Sequence, residues 1–333
     1  MFSKQAVEAF VLVKEEALPL RYRPLMGQPV EVRSHSSNTH ADRIEYEEGK
    51  DYIIDYEYGR IRRTQGSRIP DGSLHPMYKV DKFDHTQYPE YSNVTYTVYA
   101  DYITESVFAK EERLTVAEAK KSGFLNRTIR KLSAGEEVLY VVYGDSISAG
   151  GEASQESLTY YGLFTALLRD LYPEGRIRIE NRSIPGETSE GGASRVYEDV
   201  IPLEPDLVSI GYGMNDQNIH GNGITLEQFE KNLRHILDTL RSFSESDILL
   251  VTPCEPNPHW QHTSGQTHRY ADSIRRLGDE YGIGVADAHT LWCQELAAGK
   301  TPESLLLNNI NHPNDYGHWI YSQAFTPMLR GKL

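Results

Sequence analysis

The chain has 333 residues, 39% hydrophobic and 25% charged, an ordinary globular composition with enough length for two cores. A formal net charge of -14 without a dense lysine or arginine run argues against nucleic acid or an anionic membrane surface as a partner. No stretch approaches the roughly 18 apolar residues of a membrane helix, and Glu8, Lys14, Glu15 and Glu16 break up Met1–Leu18 where a secretory signal would be continuous and apolar.

The first hundred residues read as β-rich. Asp51–Tyr56 and Arg60–Arg63 flank a glycine-containing turn, Glu57–Gly59, and predict a hairpin. In the second strand Arg60, Arg62 and Arg63 read as an exposed face around Ile61. Pro70–Gly72 and His75–Pro76 mark turns, and Asn93–Tyr102, crowded with β-branched and aromatic residues, predicts a strong strand. No helical period precedes Val116–Lys121. A small β-sandwich fits this half, with a boundary between Ser122 and Gly135 that gives domains at 1–128 and 129–333.

From Val138 the texture changes. Apolar runs at Val138–Tyr143, Arg176–Glu180, Leu207–Ile210 and Ile248–Val251 alternate with helical stretches at Leu158–Leu171, Leu226–Phe243, His268–Tyr281 and Tyr316–Leu329. Thr225 and Gln228 form a capping box for the longest helix, whose Phe229, Leu233, Ile236, Leu237 and Leu240 share one face. Such alternation predicts a parallel sheet covered by helices on both sides, with ligands binding beyond the carboxyl ends of the strands.

Four segments stand where that rule points. Tyr143–Gly150 follows the first strand and presents Ser146 among small residues that permit a sharp turn. Asn181–Ser189 follows the second strand, Gly211–Asp216 follows the third, and Asn308–His318 opens the last helix. Taken together and in order, these resemble the four blocks of SGNH (GDSL-type) serine hydrolases, over Val138 to the end of the chain. The resemblance implies a three-layer α/β/α, flavodoxin-like SGNH domain, preceded here by a jelly-roll-like β-sandwich. It implies Ser146 as nucleophile and His312 as its base, with an oxyanion hole from the backbone N–H groups of Ser146 and Gly186 and the Asn215 side chain. No metal or other cofactor is expected. His259 and His262 flank Trp260 without a carboxylate at ligand spacing, and His318 reads as a surface or packing residue.

One position departs from the pattern. The family's aspartate three residues before the histidine is Asn309 here, which can orient an imidazole but cannot neutralise an imidazolium. Three outcomes stay open: a Ser146–His312 dyad oriented by Asn309 or a backbone carbonyl, a substitute acid such as Asp287 or Asp315, or low activity. Asp145 reads as structural. A sandwich ahead of an SGNH domain resembles carbohydrate acetylesterases, and tyrosine-rich strands and Trp260 offer faces for sugar rings, with core packing as the competing explanation. The expected substrate is therefore a short acyl ester of a small molecule or oligosaccharide. A lipid or thioester hydrolase of lysophospholipase type and a non-catalytic carbohydrate-binding protein with a decayed site are the alternatives. Exposed apolar strand faces suit a homo-oligomer as readily as a ligand. Cys254 and Cys293, the only two cysteines, read as small buried residues of a reducing, cytoplasmic setting.

Overall fold

The computed structural model describes residues 2–37, 39–105 and 123–329, so the helical period expected at Val116–Lys121 lies outside the described residues. The chain divides into two compact units. The first draws on Met1–Arg113, His259–Gln261 and Cys293–Gly317, the second on Leu114–Pro258, His262–Trp292 and His318–Leu333.

In the first unit the strands are β1 (Phe2–Val11), β2 (Leu18–Pro19), β3 (Val30–Arg33), β4 (Glu45–Tyr46), β5 (Tyr52–Asp55), β6 (Arg60–Arg63) and β7 (Thr97–Glu105). They form two antiparallel sheets, ordered β1-β7-β3-β4 and β2-β6-β5. Phe10, Val30, Val32, Val98 and Ala100 of one sheet and Ile54 and Ile61 of the other share a single apolar core, as in a sandwich. The β5–β6 hairpin stands as expected. Two details do not. Period-two alternation puts Arg63 on the buried face with Ile61, where its guanidinium donates to the Ile69 carbonyl and to Asp71 at 3.0 Å each. The last strand starts at Thr97 rather than Asn93, because the Asn93 carbonyl accepts the N–H groups of Tyr96 and Thr97 in a turn. The strand tyrosines Tyr46, Tyr52, Tyr99 and Tyr102 are all under 8% exposed, so core packing rather than sugar stacking accounts for them.

A bulge in β1 shifts the register between Gln5 and Glu8, with Val7 held at φ 51° and its N–H on the Asp101 carboxylate. It leaves Glu8 fully buried, 2.6 Å from the equally buried ammonium of Lys300. That ammonium sits 3.3 Å from the centre of the Phe10 ring, and burial lowers its pKa to about 8 despite Glu8.

The second unit holds a parallel sheet of β8 (Glu137–Gly144), β9 (Arg176–Asn181), β10 (Leu207–Gly211), β11 (Asp247–Val251) and β12 (Gly284–Ala286), in the order β9-β8-β10-β11-β12. Among the described residues the helices in chain order are α1 (Asn126–Ser133), α2 (Tyr160–Leu171), α3 (Ser189–Asp199), α4 (Leu226–Phe243), α5 (Thr267–Tyr281), α6 (Ala288–Ala298), α7 (Pro302–Leu305) and α8 (Asp315–Gln323), of which α7 belongs to the first unit and α6 and α8 are divided between the two. Leu139, Val141 and Tyr143 of β8 pack with residues of α3, α4 and α5 on one face. On the other face Tyr140 meets Phe164 of α2 edge-on at 6.2 Å. The sheet is thus covered on both sides, the flavodoxin-like arrangement, and its strand order reverses between β8 and β10. Thr225 caps α4 by accepting from the Gln228 N–H at 3.2 Å, while the Gln228 side chain reaches forward to Asn232 instead of closing a reciprocal box.

Candidate active site

Ser146 lies in the turn that leaves β8, beside the crevice where the strand order reverses. The turn is tight because Gly144 permits it: a Cβ there would come within 2.2 Å of the Gly211 carbonyl oxygen and 2.6 Å of Ser148 Oγ. Asp145 donates its N–H to Gly211 O at 3.1 Å and accepts the Ile147 N–H at 3.0 Å, pinning both sides of Ser146. Tyr160 OH donates to Ser148 Oγ at 2.9 Å, and Asn181 Nδ2 holds the Ser148 carbonyl at 2.8 Å. Complete burial raises the Asp145 pKa to about 7.

The loops after β9 and β10 are laced to this turn and to each other. Ile184 N–H bonds to Gly144 O at 2.9 Å, bringing the loop that carries Gly186 alongside the Ser146 turn. Gly186 has φ +78°, a conformation that side-chain-bearing residues seldom adopt. Asn222 Nδ2 donates to the Gly186 carbonyl at 2.7 Å, and Asn215 Nδ2 donates to the next carbonyl, Glu187 O, at 2.9 Å. A primary amide carries two hydrogens, so this anchor occupies one and leaves the second for a ligand oxygen. Asp216, fully buried, accepts the N–H groups of Ser189 and Gly213 at 2.9 Å each and so fixes both loops around Asn215. Burial outweighs these bonds and raises its pKa to about 6.

A charged cluster braces the Gly186 loop from behind. Arg195 of α3 grips Glu187 with two bonds, at 2.8 and 2.5 Å, and reaches Asp199 at 2.8 Å. Tyr212 OH donates to Glu187 at 2.7 Å, and the guanidinium lies 4.3 Å from the Tyr143 ring centre. Burial alone would lower the Arg195 pKa, but Glu187 and Asp199 hold it above its ordinary value. Sequence reading missed this cluster and Asp216; the Asp directly after Asn215 was the available signal.

In the first unit, His312 closes a short loop between α7 and α8. Leu306 bridges to Pro313, and Leu307 N–H bonds to His312 O at 3.0 Å. Inside the loop, Asn308 Oδ1 gathers the N–H groups of Ile310, Asn311 and His312 at 3.0, 3.0 and 2.8 Å. Asn309 takes φ 59°, which asparagine tolerates better than most residues, and its Oδ1 accepts from Asn93 at 3.2 Å. Asn314 Oδ1 accepts the Gly317 N–H at 3.0 Å and caps α8 directly after the histidine.

A family model described as the GDSL-like lipase/acylhydrolase family matches residues 142–320, more than half of the chain. The chain belongs to that family. As a GDSL-family protein it is a carboxylic ester hydrolase, and its relatives agree. It is 28% identical over 211 residues to an acetylxylan esterase of Geobacillus stearothermophilus, spanning 59% of this chain and 94% of that relative. It is 34% identical over 172 residues to esterase TesA of Pseudomonas aeruginosa, spanning 51% of this chain and 75% of that relative. The crystal structure of Axe2, an acetylxylan esterase from Geobacillus stearothermophilus, superposes with a TM-score of 0.50 at 25% identity, covering 58% of this chain and 94% of Axe2.

Trp260 is 5% exposed and packs with Met77, Phe83 and Ile310, its indole N–H on His85 Nδ1 at 3.1 Å, which leaves little ring face for a ligand. Asp287 has both oxygens engaged, by Arg275, Thr252 and Thr290. Although burial pushes its pKa up, the Arg275 and Thr290 bonds win and hold it at about 2. His318 is buried, its Nδ1 accepting the Tyr160 N–H at 3.3 Å, a packing role. Cys254 is buried, Cys293 half-buried, and neither forms a disulfide. Among the described residues no helix is long and apolar enough to cross a membrane.

Proposed function

We propose that this hydrolase is a serine esterase that removes short acyl groups, acetyl above all, from carbohydrate esters. Ser146 Oγ attacks the ester carbonyl while His312 accepts its proton. Negative charge then develops on the carbonyl oxygen, and the Ser146 N–H, the Gly186 N–H and the second hydrogen of the Asn215 amide meet it. His312 returns the proton to the departing sugar alkoxide, leaving an acyl-enzyme. Water, deprotonated by His312, attacks that ester, and the acid leaves as Ser146 recovers its proton. Asn309 takes the orienting position beside His312, so the pair works as a dyad without a carboxylate.

The observation that carries this reading is the fixed donor arrangement. Asn215 and Asn222 clamp the two successive carbonyls at Gly186 and Glu187, so the donors are set before substrate arrives. The carbohydrate part rests on the similarity to an acetylxylan esterase. A second reading, a lipid or thioester hydrolase, draws support from Ile184 and Ile219, 45% and 58% exposed in the loops that carry Gly186 and Asn215. We place the enzyme in the cytoplasm, in keeping with thiols outside any disulfide.

The test compares kcat/KM on acetylated xylo-oligosaccharides with that on p-nitrophenyl esters of increasing acyl length. Highest turnover on the acetylated sugars, falling activity beyond short acyl chains and loss of both in Ser146→Ala support the proposal. A preference for long chains overturns the carbohydrate reading, and a folded protein without esterase activity leaves only a binding role.

A further inference from the structure

We propose that Asn93, contributed by the β-rich part of the chain, is a positioning residue for the general base: it holds the loop from which His312 projects. The inference rests on His312 being that base, and it assigns a part in catalysis to a segment outside the family match at 142–320.

Asn93 is 0% exposed and makes an unusual number of bonds to one target. Its side-chain amide nitrogen donates to Leu306 O at 2.8 Å, Glu303 O at 3.2 Å and Asn309 Oδ1 at 3.2 Å. The two backbone carbonyls decide which end of the amide is nitrogen, and with two hydrogens for three acceptors one hydrogen is shared. Its backbone N–H adds a bond to Leu307 O at 2.7 Å, and Ser92 Oγ reaches the same carbonyl at 2.9 Å. The Glu303 and Leu306 carbonyls belong to the end of α7, where helical geometry leaves acceptors unsatisfied, so Asn93 serves as a cap supplied from elsewhere in the chain.

The anchor is itself rigid. The Asn93 carbonyl accepts the Tyr96 and Thr97 N–H groups and Thr97 Oγ1, all at 2.9 Å, which ties it to the first residue of β7. Beyond the anchor, the Leu306–Pro313 bridge and the Asn308 fan transmit the position of 306–309 to His312. Asn93 therefore acts through the loop and touches no reacting atom. It also engages Asn309, the residue that stands where the family's aspartate is expected.

The test is a double-mutant cycle on the full chain, with Asn93→Ala and His312→Ala alone and together, assayed on p-nitrophenyl acetate. Misplacing a catalytic group by about 1 Å costs on the order of 10²-fold. Asn93→Ala should lower kcat by about that factor with KM changed less than about threefold. In the His312→Ala background the same substitution should change kcat less than about threefold, because the group it positions is gone. An equal loss in both backgrounds, or a folded Asn93→Ala with normal kcat, overturns the proposal. Full activity in His312→Ala would instead defeat the assignment of the base, a separable result. If Asn93→Ala does not fold, Asn93→Ser, which keeps a short donor, replaces it in the cycle with a smaller loss and the same required non-additivity.

Discussion

Asp145 offers a quantitative check on how dry the floor of the Ser146 turn is. Its carboxyl is fully buried, and its pKa rises from the ordinary 3.8 to about 7. The folded chain therefore keeps a proton that the unfolded chain has released over the range from about pH 4 to about pH 7, so each rise in pH across it favours unfolding. Working the two pKa values through linkage, the penalty grows by roughly 2–3 kcal/mol between about pH 5 and about pH 8. Asp145→Asn keeps an oxygen to accept the Ile147 N–H at 3.0 Å and removes the titration. Urea unfolding of both chains at the two pH values measures the effect, together with any change in Asp216, whose charge Asp145 faces and whose pKa of about 6 lies in the same range. The variant should gain on the parent by roughly 2–3 kcal/mol as pH rises. A difference that stays constant, or that moves against the variant, refutes the claim that burial governs this carboxyl.

Other consequences are as direct. Asn215→Ala removes the proposed oxyanion donor together with the anchor to Glu187 O, so kcat should fall by about 10²–10³ in steady-state assays, with a smaller change in KM. Lys300→Met takes the ammonium from buried Glu8, leaving it the Tyr102 hydroxyl and the Arg21 N–H, and should cost about 3–5 kcal/mol in denaturant unfolding, part of it recovered by adding Glu8→Gln. Asn309→Asp restores the carboxylate expected at that position, and the Asn93 amide remains its donor. It should raise kcat/KM by about tenfold and move the acidic limb of the pH profile upward, since a carboxylate stabilises the imidazolium. An unchanged profile would mean that residue 309 does not address the imidazole.

The α/β unit was readable in sequence because its signals are local. Helix α4 was bounded to the residue by Thr225 and one apolar stripe, and the strands Glu137–Gly144 and Leu207–Gly211 are mostly apolar runs ending in glycine. The candidate residues were legible through the resemblance of four ordered segments to one family, beside which the glycines of the Ser146 turn and of the Gly186 loop fit the sharp turns found there. What escaped depends on partners far away in the chain. Arg63 looked exposed until Asp71 and Ile69 supplied its bonds. Asn93 looked like the start of a strand, although its amide serves a loop more than two hundred residues on. Arg195 carried no signal as one arginine on a polar helix face, since its meaning comes from Glu187, Tyr143 and Tyr212. Strand tyrosines invite a binding role by their flat rings, yet alternation alone does not reveal that Tyr52 OH is spent on Val30 O at 2.5 Å.

The central claim is that residue 146 is the nucleophile and that a histidine from the far end of the chain activates it. Reaction with a fluorophosphonate followed by peptide mass spectrometry tests it most directly. The account predicts a single adduct on Ser146, absent in Ser146→Ala and formed at least about 10²-fold more slowly in His312→Ala. An adduct on another residue, or one that forms at the parent rate without His312, would contradict it.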